Sequence, residues 1–401
     1  MSETTKHLKG EEYLVTHTVG PNRSGFRLDR FLMERYKRRS REQLKKAIDS
    51  GAITVVRTGL GQSQMGRMKA SFSLLNGDTV KVLSIRRPEP EVNFNYYPIF
   101  EDEEIIVIHK PPNLPVHPAG RFFFNTLLVH LKTHGFTSEL ESERKYFLVH
   151  RIDKETSGIL LLAKTKEACA ALTVQFKNRE TDKYYLAIVH GKPLQNEFEI
   201  DRPIGKIPGS RIGLKMYPRT LEEGGLPSLT RFERVETRTG EKGTFSLMAC
   251  FPRTGRQHQI RIHADLAGIP LVGDKLYGMP DDQVFALLEG HREDLRSEVS
   301  PEPITEDFEA VVDAELIPDE PEDLGDVEDA FEIPGPTSSL YAELEAKLIL
   351  PRHALHAAGL RFKHPRTQKE MVFEAPLPDD LREFFENLTH EKLEAFRTRH
   401  W

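Results

Sequence analysis

Hydrophobic positions recur along this chain with two different periods, and the switches between them outline its elements. Between Ser24 and Arg87, Leu28, Phe31 and Leu32 fall on one helical face, and Leu44 and Ile48 do the same in a second helix. Ser40 followed by Gln43 forms a capping box before that second helix, and Gly51 is a natural stop for it. Ile53–Val56 and Thr79–Leu83 alternate as strands, the second entered through the turn Asn76-Gly77-Asp78. Beyond the linker Arg87-Pro88-Glu89-Pro90, strands are predicted at 104–110, 147–149, 159–163, 184–189, 230–235 and 244–251. Helices are predicted at 166–178 and 257–267, with two more after Pro378. Short connections and mixed order predict an α+β fold with a mixed, largely antiparallel sheet, not a regular βαβ array. Residues 1–23 read as a loosely ordered N-terminal extension.

At 401 residues the chain has room for two to three domains, each with its own core. Its longest aliphatic runs are about five residues, far short of a membrane span. Two cysteines, Cys169 and Cys250, without a CxxC, predict a reducing, cytoplasmic setting and no structural zinc. A monomer without membrane contact is expected.

Charge changes the picture. Residues 281–332 hold 20 Asp and Glu against Arg292 and Arg296, a local net of −18, so a whole-chain net of −6 leaves +12 for the remainder. A basic body suits a polyanion. The acidic stretch belongs to a segment, 279–340, with six prolines between Pro301 and Pro336 and no sustained periodicity beyond a helix near Gln283–Leu288. Such a composition predicts a mobile insertion. In the N-terminal unit a basic run comprises Arg38, Arg39, Arg41, Lys45 and Lys46, with Arg41 and Lys45 sharing one exposed helical face. A solvated face is the ordinary reading of such a run.

Candidate chemistry concentrates in His150-Arg151-Ile152-Asp153-Lys154-Glu155-Thr156-Ser157-Gly158, followed at once by Ile159–Ala163. A carboxylate flanked by Arg151 and Lys154, on a loop pinned by a core strand, is a place for chemistry. Tyr185 alternates with Ala187 and Val189 on one strand face, where a tyrosine is more often core than catalytic. Thr254–His263 gathers two arginines and two histidines where a helix starts, a position that favours anions. His258 and His263 are five apart, off a common helical face, and no HExxH occurs, so no metal site is predicted.

These segments, with His117-Pro118-Ala119-Gly120, Gly273-Asp274-Lys275-Leu276-Tyr277-Gly278 and Leu355-His356-Ala357, resemble the RluA-type pseudouridine synthases from about residue 92 onward. The resemblance implies a catalytic domain at 92–278 and 341–401. It makes Asp153 the catalytic carboxylate and Arg261 its partner, packs Tyr185 against the target base, and has Ile262 wall the pocket. Arg151 resembles the residue that enters the nucleic-acid stack when a base leaves, and His150 and His117 join the substrate-binding set. Residues 24–87 resemble an S-four-like RNA-binding domain through Arg27–Leu32, Ile48–Ile53 and Leu75–Val80, which adds Arg27 and Arg30 to the RNA contacts. The Gly- and Met-rich stretch Arg57–Ala70 departs from that pattern by its length.

The implied reaction breaks the bond from ribose to base nitrogen, turns the base and rejoins it through carbon 5. Nothing is oxidised and no group is imported, so no cofactor is expected. It needs an ionised carboxylate near the sugar, as nucleophile or base. The N-terminal domain favours large-subunit ribosomal RNA as substrate, whereas His117–Thr126 also resembles the tRNA-modifying branch. Two alternatives are a retaining glycosidase, which needs two opposed carboxylates, and a non-enzymatic RNA-binding ribosome-assembly factor that keeps the fold.

Overall fold

The computed structural model describes residues 4–9, 12–36, 40–57, 68–85, 89–119, 122, 124–134, 145–288, 309–312 and 338–390. The chain divides into two compact units, 1–91 with 117–144 and 299–331, and 92–116 with 145–298 and 332–401. No helix among the described residues is long and apolar enough to cross a membrane.

The first unit holds strands β1 (Thr4–Lys9) and β2 (Glu12–Thr18), helices α1 (Leu28–Arg35) and α2 (Arg41–Asp49), and strands β3 (Ile53–Val56) and β4 (Thr79–Ile85). Its sheet runs β15-β1-β2-β4-β3, with β15 at Glu309–Val312. The capping box forms as predicted: the Ser40 hydroxyl accepts from the Gln43 N–H at 3.2 Å, and the Gln43 side chain accepts from the Ser40 N–H at 2.7 Å. Leu28, Phe31, Leu32, Leu44 and Ile48 are buried together with Val15, Val80 and Val82.

Two expectations change in this unit. The N-terminal extension is a strand pair: β2 aligns with β4 from Glu12 opposite Ile85 to Thr18 opposite Thr79. Its alternation was hidden because one inward position is His17, buried and bonded to the Tyr36 hydroxyl at 2.9 Å. Residues 117–144 group here and not with the catalytic segments. Helix α3 (Leu127–His134) buries Val129 in this core alongside Phe124, and the Glu89 carboxylate accepts the N–H groups of Phe124 and Asn125 at 2.7–3.0 Å.

The second unit is a large mixed sheet, largely antiparallel. It begins with β5 (Tyr97–Glu101), β6 (Ile105–Lys110), β7 (Phe147–Leu148) and β8 (Ser157–Ala163). After helix α4 (Lys166–Asn178) come β9 (Asp182–His190), β10 (Glu197–Asp201), the small pair β11 (Ile204–Gly205) and β12 (Tyr217–Pro218), then β13 (Leu229–Gly240) and β14 (Gly243–Pro252). Helix α5 (Gln259–Leu266) and a helix α6 at 281–288 precede α7 (Ser338–Lys347), β16 (Leu355–Lys363), β17 (Glu370–Glu374), α8 (Asp379–Glu386) and β18 (Thr389–His390). The strand order is β10-β13-β14-β9-β16-β8-β6-β5.

Every residue of β8 is buried, as expected of a central strand covered on both faces. One of those faces packs Ile159, Leu161 and Ala163 with Ile105 and Val107 against Ala168 and Leu172 of α4. The parallel pairing in the sheet, β16 on β8, sets His356 beside Ser157 and Ala357 beside Gly158. It therefore joins the Leu355-His356-Ala357 segment to the end of the Asp153 loop. A Cβ on Gly158, whose φ is +111°, would lie 2.2 Å from the Ala357 carbonyl oxygen, so a side chain has no room there.

The 279–340 segment is not uniformly without structure. Val284 of α6 joins Ile204, Ile262, Leu276 and Tyr277 in one cluster, and Ala286 and Leu287 join Leu344 and Leu348 in another. Residues 289–308 and 313–337, where the acidic composition is densest, lie outside the described residues, as does the second helix expected after α8.

Candidate active site

The loop carrying Asp153 is held by buried cations acting on backbone carbonyls. Lys110, at the end of β6 and fully buried, donates from Nζ to the carbonyls of Pro111 (2.7 Å), Leu114 (3.0 Å) and Lys154 (3.0 Å). Burial draws its pKa down to about 7; Glu155 opposes that shift and Arg352 adds to it. Arg352 donates to the Glu155 carbonyl at 3.1 Å while forking onto Asp380 at the start of α8 at 2.7 and 2.9 Å. Thr156 and Ser157 close the loop through 2.9 Å bonds to His353 and His356.

Asp153 meets Arg261 from α5, its Oδ2 accepting from Nη1 at 3.1 Å. The guanidinium is aimed by a second carboxylate: Nε and Nη2 fork onto Asp274 at 2.7 and 2.8 Å. Asp274 is wholly buried and also accepts the N–H groups of Leu276 and Tyr277 at 2.9 and 3.2 Å. The preceding Gly273, at φ +72°, is required because a Cβ would lie 2.1 Å from the Arg352 carbonyl oxygen. Burial disfavours the charged form of Arg261, and Asp274, then Asp153, more than offset it, so its pKa is raised. Burial alone would raise the Asp153 carboxyl, whose side chain is 20% exposed. His258, protonated only in the acid range, and the permanent charge of Arg261 outweigh that and hold it below the usual carboxylate range. An ionised Asp153 should therefore persist to acid pH, giving a kcat/KM plateau that extends down to about pH 5. A fall setting in above about pH 6 would show burial winning over the cations.

Asp153, His258 and Arg261 line a cavity of about 590 Å³ with Tyr185, Ile260 and Leu355 on its walls. Tyr185 on β9 stands between Cys250 on β14 and Ala357 on β16, and burial followed by the Asp153 charge pushes its phenol up. Arg151, Lys177, Arg179, Lys183, Arg253 and Arg256 also line the cavity, and Asp153 is the one acid among its described lining residues.

The structure thus brings together Asp153, Arg261, Tyr185 and Arg151, the last exposed at the rim. His150 lines the cavity, but its Nε2 accepts the Leu161 N–H at 3.0 Å and its ring stacks on Phe176, so it anchors the strand. Ile262 is a correction: it packs away from the cavity with Tyr277 and Val284, and Ile260 takes the wall position, a difference of helical phase. His117 falls in the first unit and not in the cavity lining. Among the RNA-contact candidates, Arg27 and Arg41 both bond Asp29 at 2.9 Å, Arg30 lies over Phe26, Lys46 sits 3.6 Å from Glu42 and Lys45 is exposed. Arg38 and Arg39 lie outside the described residues. His263 bonds Thr230 and the Arg202 carbonyl, and among the described residues no group of three or more His, Cys, Asp or Glu could hold a metal.

Sequence reasoning missed Asp274, Lys110, Arg352 and His258. The first had a signal. A buried guanidinium carries five donors, and one half-used carboxylate cannot satisfy it; the Gly273-Asp274 step was the available second acid.

The RNA pseudouridylate synthase family profile matches residues 104–266. A ribosomal large subunit pseudouridine synthase D of Zymomonas mobilis is 30% identical over 370 residues, covering 91% of this chain and 94% of that protein. The protein of the same name from Nitrosomonas europaea is 29% identical over 385 residues, 95% and 91% of the two chains. An uncharacterized RNA pseudouridine synthase of Aquifex aeolicus is 34% identical over 266 residues, 64% and 78% of the two. The chain belongs to the RluA-type RNA pseudouridine synthases. It is an isomerase that acts on RNA.

Proposed function

We propose that this enzyme converts uridines of large-subunit ribosomal RNA to pseudouridine, with Asp153 as the reacting carboxylate. The observation that carries the reading is the 3.1 Å pairing of Asp153 with an arginine that Asp274 holds in place, inside a cavity ringed by cations. A permanent cation keeps the carboxylate ionised for attack on the sugar or removal of its proton. Tyr185 and Leu355 offer the freed uracil contact without fixing one orientation. Extruding a paired uridine costs a few kcal/mol, which Arg151 at the rim offsets by filling the gap. Ribosomal RNA is favoured because relatives aligned along more than nine tenths of this chain carry that substrate in their names. Mapping pseudouridine in ribosomal RNA and tRNA, with and without this gene, tests the choice; loss confined to tRNA would overturn it.

The first unit serves as a second RNA grip of the S-four-like kind. Arg30, Lys45 and Lys46 are exposed on its helices α1 and α2. Replacing all three with alanine is expected to weaken RNA binding several-fold and to flatten the slope of log K against log salt by about 1–2. An unchanged slope, measured by titration at four salt concentrations, would remove this surface from the interface.

A further inference from the structure

His258 caps α5 from a left-handed backbone position, φ 57° and ψ 17°, which side-chain-bearing residues adopt uncommonly. That turn sets its ring between two partners. Nε2 lies 3.8 Å from Asp153 Oδ2, and Nδ1 lies 3.1 Å from the Tyr277 hydroxyl.

The bonding of the tyrosine favours one of the two ring tautomers. Its hydroxyl accepts the Met216 N–H at 3.0 Å and donates its single proton to the Met216 carbonyl at 3.2 Å. With its proton on that carbonyl the hydroxyl accepts from His258, which places the hydrogen on Nδ1 and turns the Nε2 lone pair towards Asp153. Burial, then the charge of Arg261, keep the ring neutral by drawing its pKa down to about 4, against the pull of Asp153.

His150, Lys183 and Tyr185, which share the cavity, are otherwise engaged. His150 spends its Nε2 lone pair on the Leu161 N–H, and Lys183 donates to the Thr254 carbonyl at 3.0 Å. Burial pushes the Tyr185 phenol away from ionisation. Asp153 is assigned to the sugar.

We propose that His258 is a second catalytic base, taking the proton from carbon 5 of uracil once that carbon has bonded to the ribose. The proposal rests on the Asp153 reading above. When carbon 5 joins the sugar it becomes tetrahedral and still carries its hydrogen. The C5–H electron pair then forms the C5=C6 double bond, and the C6=N1 pair moves onto N1, which takes a proton from water. The imidazolium returns its proton to water, so the balance closes with one hydrogen moved from carbon 5 to N1.

Position favours this assignment, because carbon 5 must come within bonding distance of the sugar carbon that Asp153 addresses. A weak base suffices, since the hydrogen sits between a carbonyl and an imine and its loss restores the conjugated ring.

The test is single-turnover kinetics on RNA carrying protium or deuterium at carbon 5 of the target uridine. His258→Gln should react about 10²–10⁴-fold more slowly and show a carbon-5 isotope effect of about 2 or more, with RNA affinity and melting temperature near those of the parent. Should the glutamine variant fold poorly, His258→Ala should regain turnover in added imidazole. A near-parental rate, a slow rate without the isotope effect, or an alanine variant deaf to imidazole would overturn the proposal. Asp153→Asn in the same assay separates the two readings: turnover there overturns the Asp153 assignment, whatever the His258 variants do.

Discussion

Asp153→Asn is expected to lower pseudouridine formation by about four orders of magnitude or more while RNA affinity stays within a few-fold. The size follows from asking an amide to do what only an ionised carboxylate can, attack the sugar or take its proton. The retention of fold follows from the geometry. Arg261 loses at most one 3.1 Å bond and keeps its fork onto Asp274, so no buried guanidinium is orphaned. The loop itself is held through the carbonyls of Lys154 and Glu155, which the substitution leaves alone. Rate and affinity therefore separate, and single-turnover rates beside binding isotherms measure both. Turnover within about tenfold of the parent would remove Asp153 from the chemistry.

Gly158→Ala should be among the most damaging single methyls in the molecule's second unit, on a par with one at Gly273. The added carbon would meet the Ala357 carbonyl oxygen at 2.2 Å and its carbonyl carbon at 2.8 Å, in a backbone with φ +111°. Neither neighbour is a flexible side-chain end, so β8 and β16 must separate where they pair. A cost of about 3–5 kcal/mol is expected, at the severe end for a point substitution. Gly77→Ala is the control: its φ is +86° but nothing lies within 4 Å, so only the backbone term of about 1 kcal/mol remains. Denaturant unfolding of the pair reads the difference. Equal losses would show that the close approach of the strands carries no weight.

Local order was largely legible in the sequence. The α2 capping box, the buried faces of α1 and α2, and the strands around β8, β9, β13 and β14 follow from short-range periodicity. The failures share a cause. Strand β2 carries an inward histidine, and β16 is buried at nearly every position, so neither alternates as a half-buried strand does. At the site, Asp153 and Arg261 were named from motif resemblance, because 108 residues separate them and no local pattern predicts their meeting. Ile262, two residues from the wall-forming Ile260, was placed on the wrong face of the helix, and motif matching alone does not supply that phase. Asp274, Lys110 and Arg352 act through bonds that exist only after the sheet has assembled, so their roles became visible with the fold.

The central claim is that one carboxylate, kept ionised by a fixed arginine, performs the isomerisation. Site-resolved pseudouridine mapping of total RNA tests it most directly, in cells lacking the gene and complemented with the parent or with Asp153→Asn. The account predicts sites in large-subunit ribosomal RNA that vanish with the gene, return with the parent and stay absent with the asparagine variant. Their return with Asp153→Asn would contradict it.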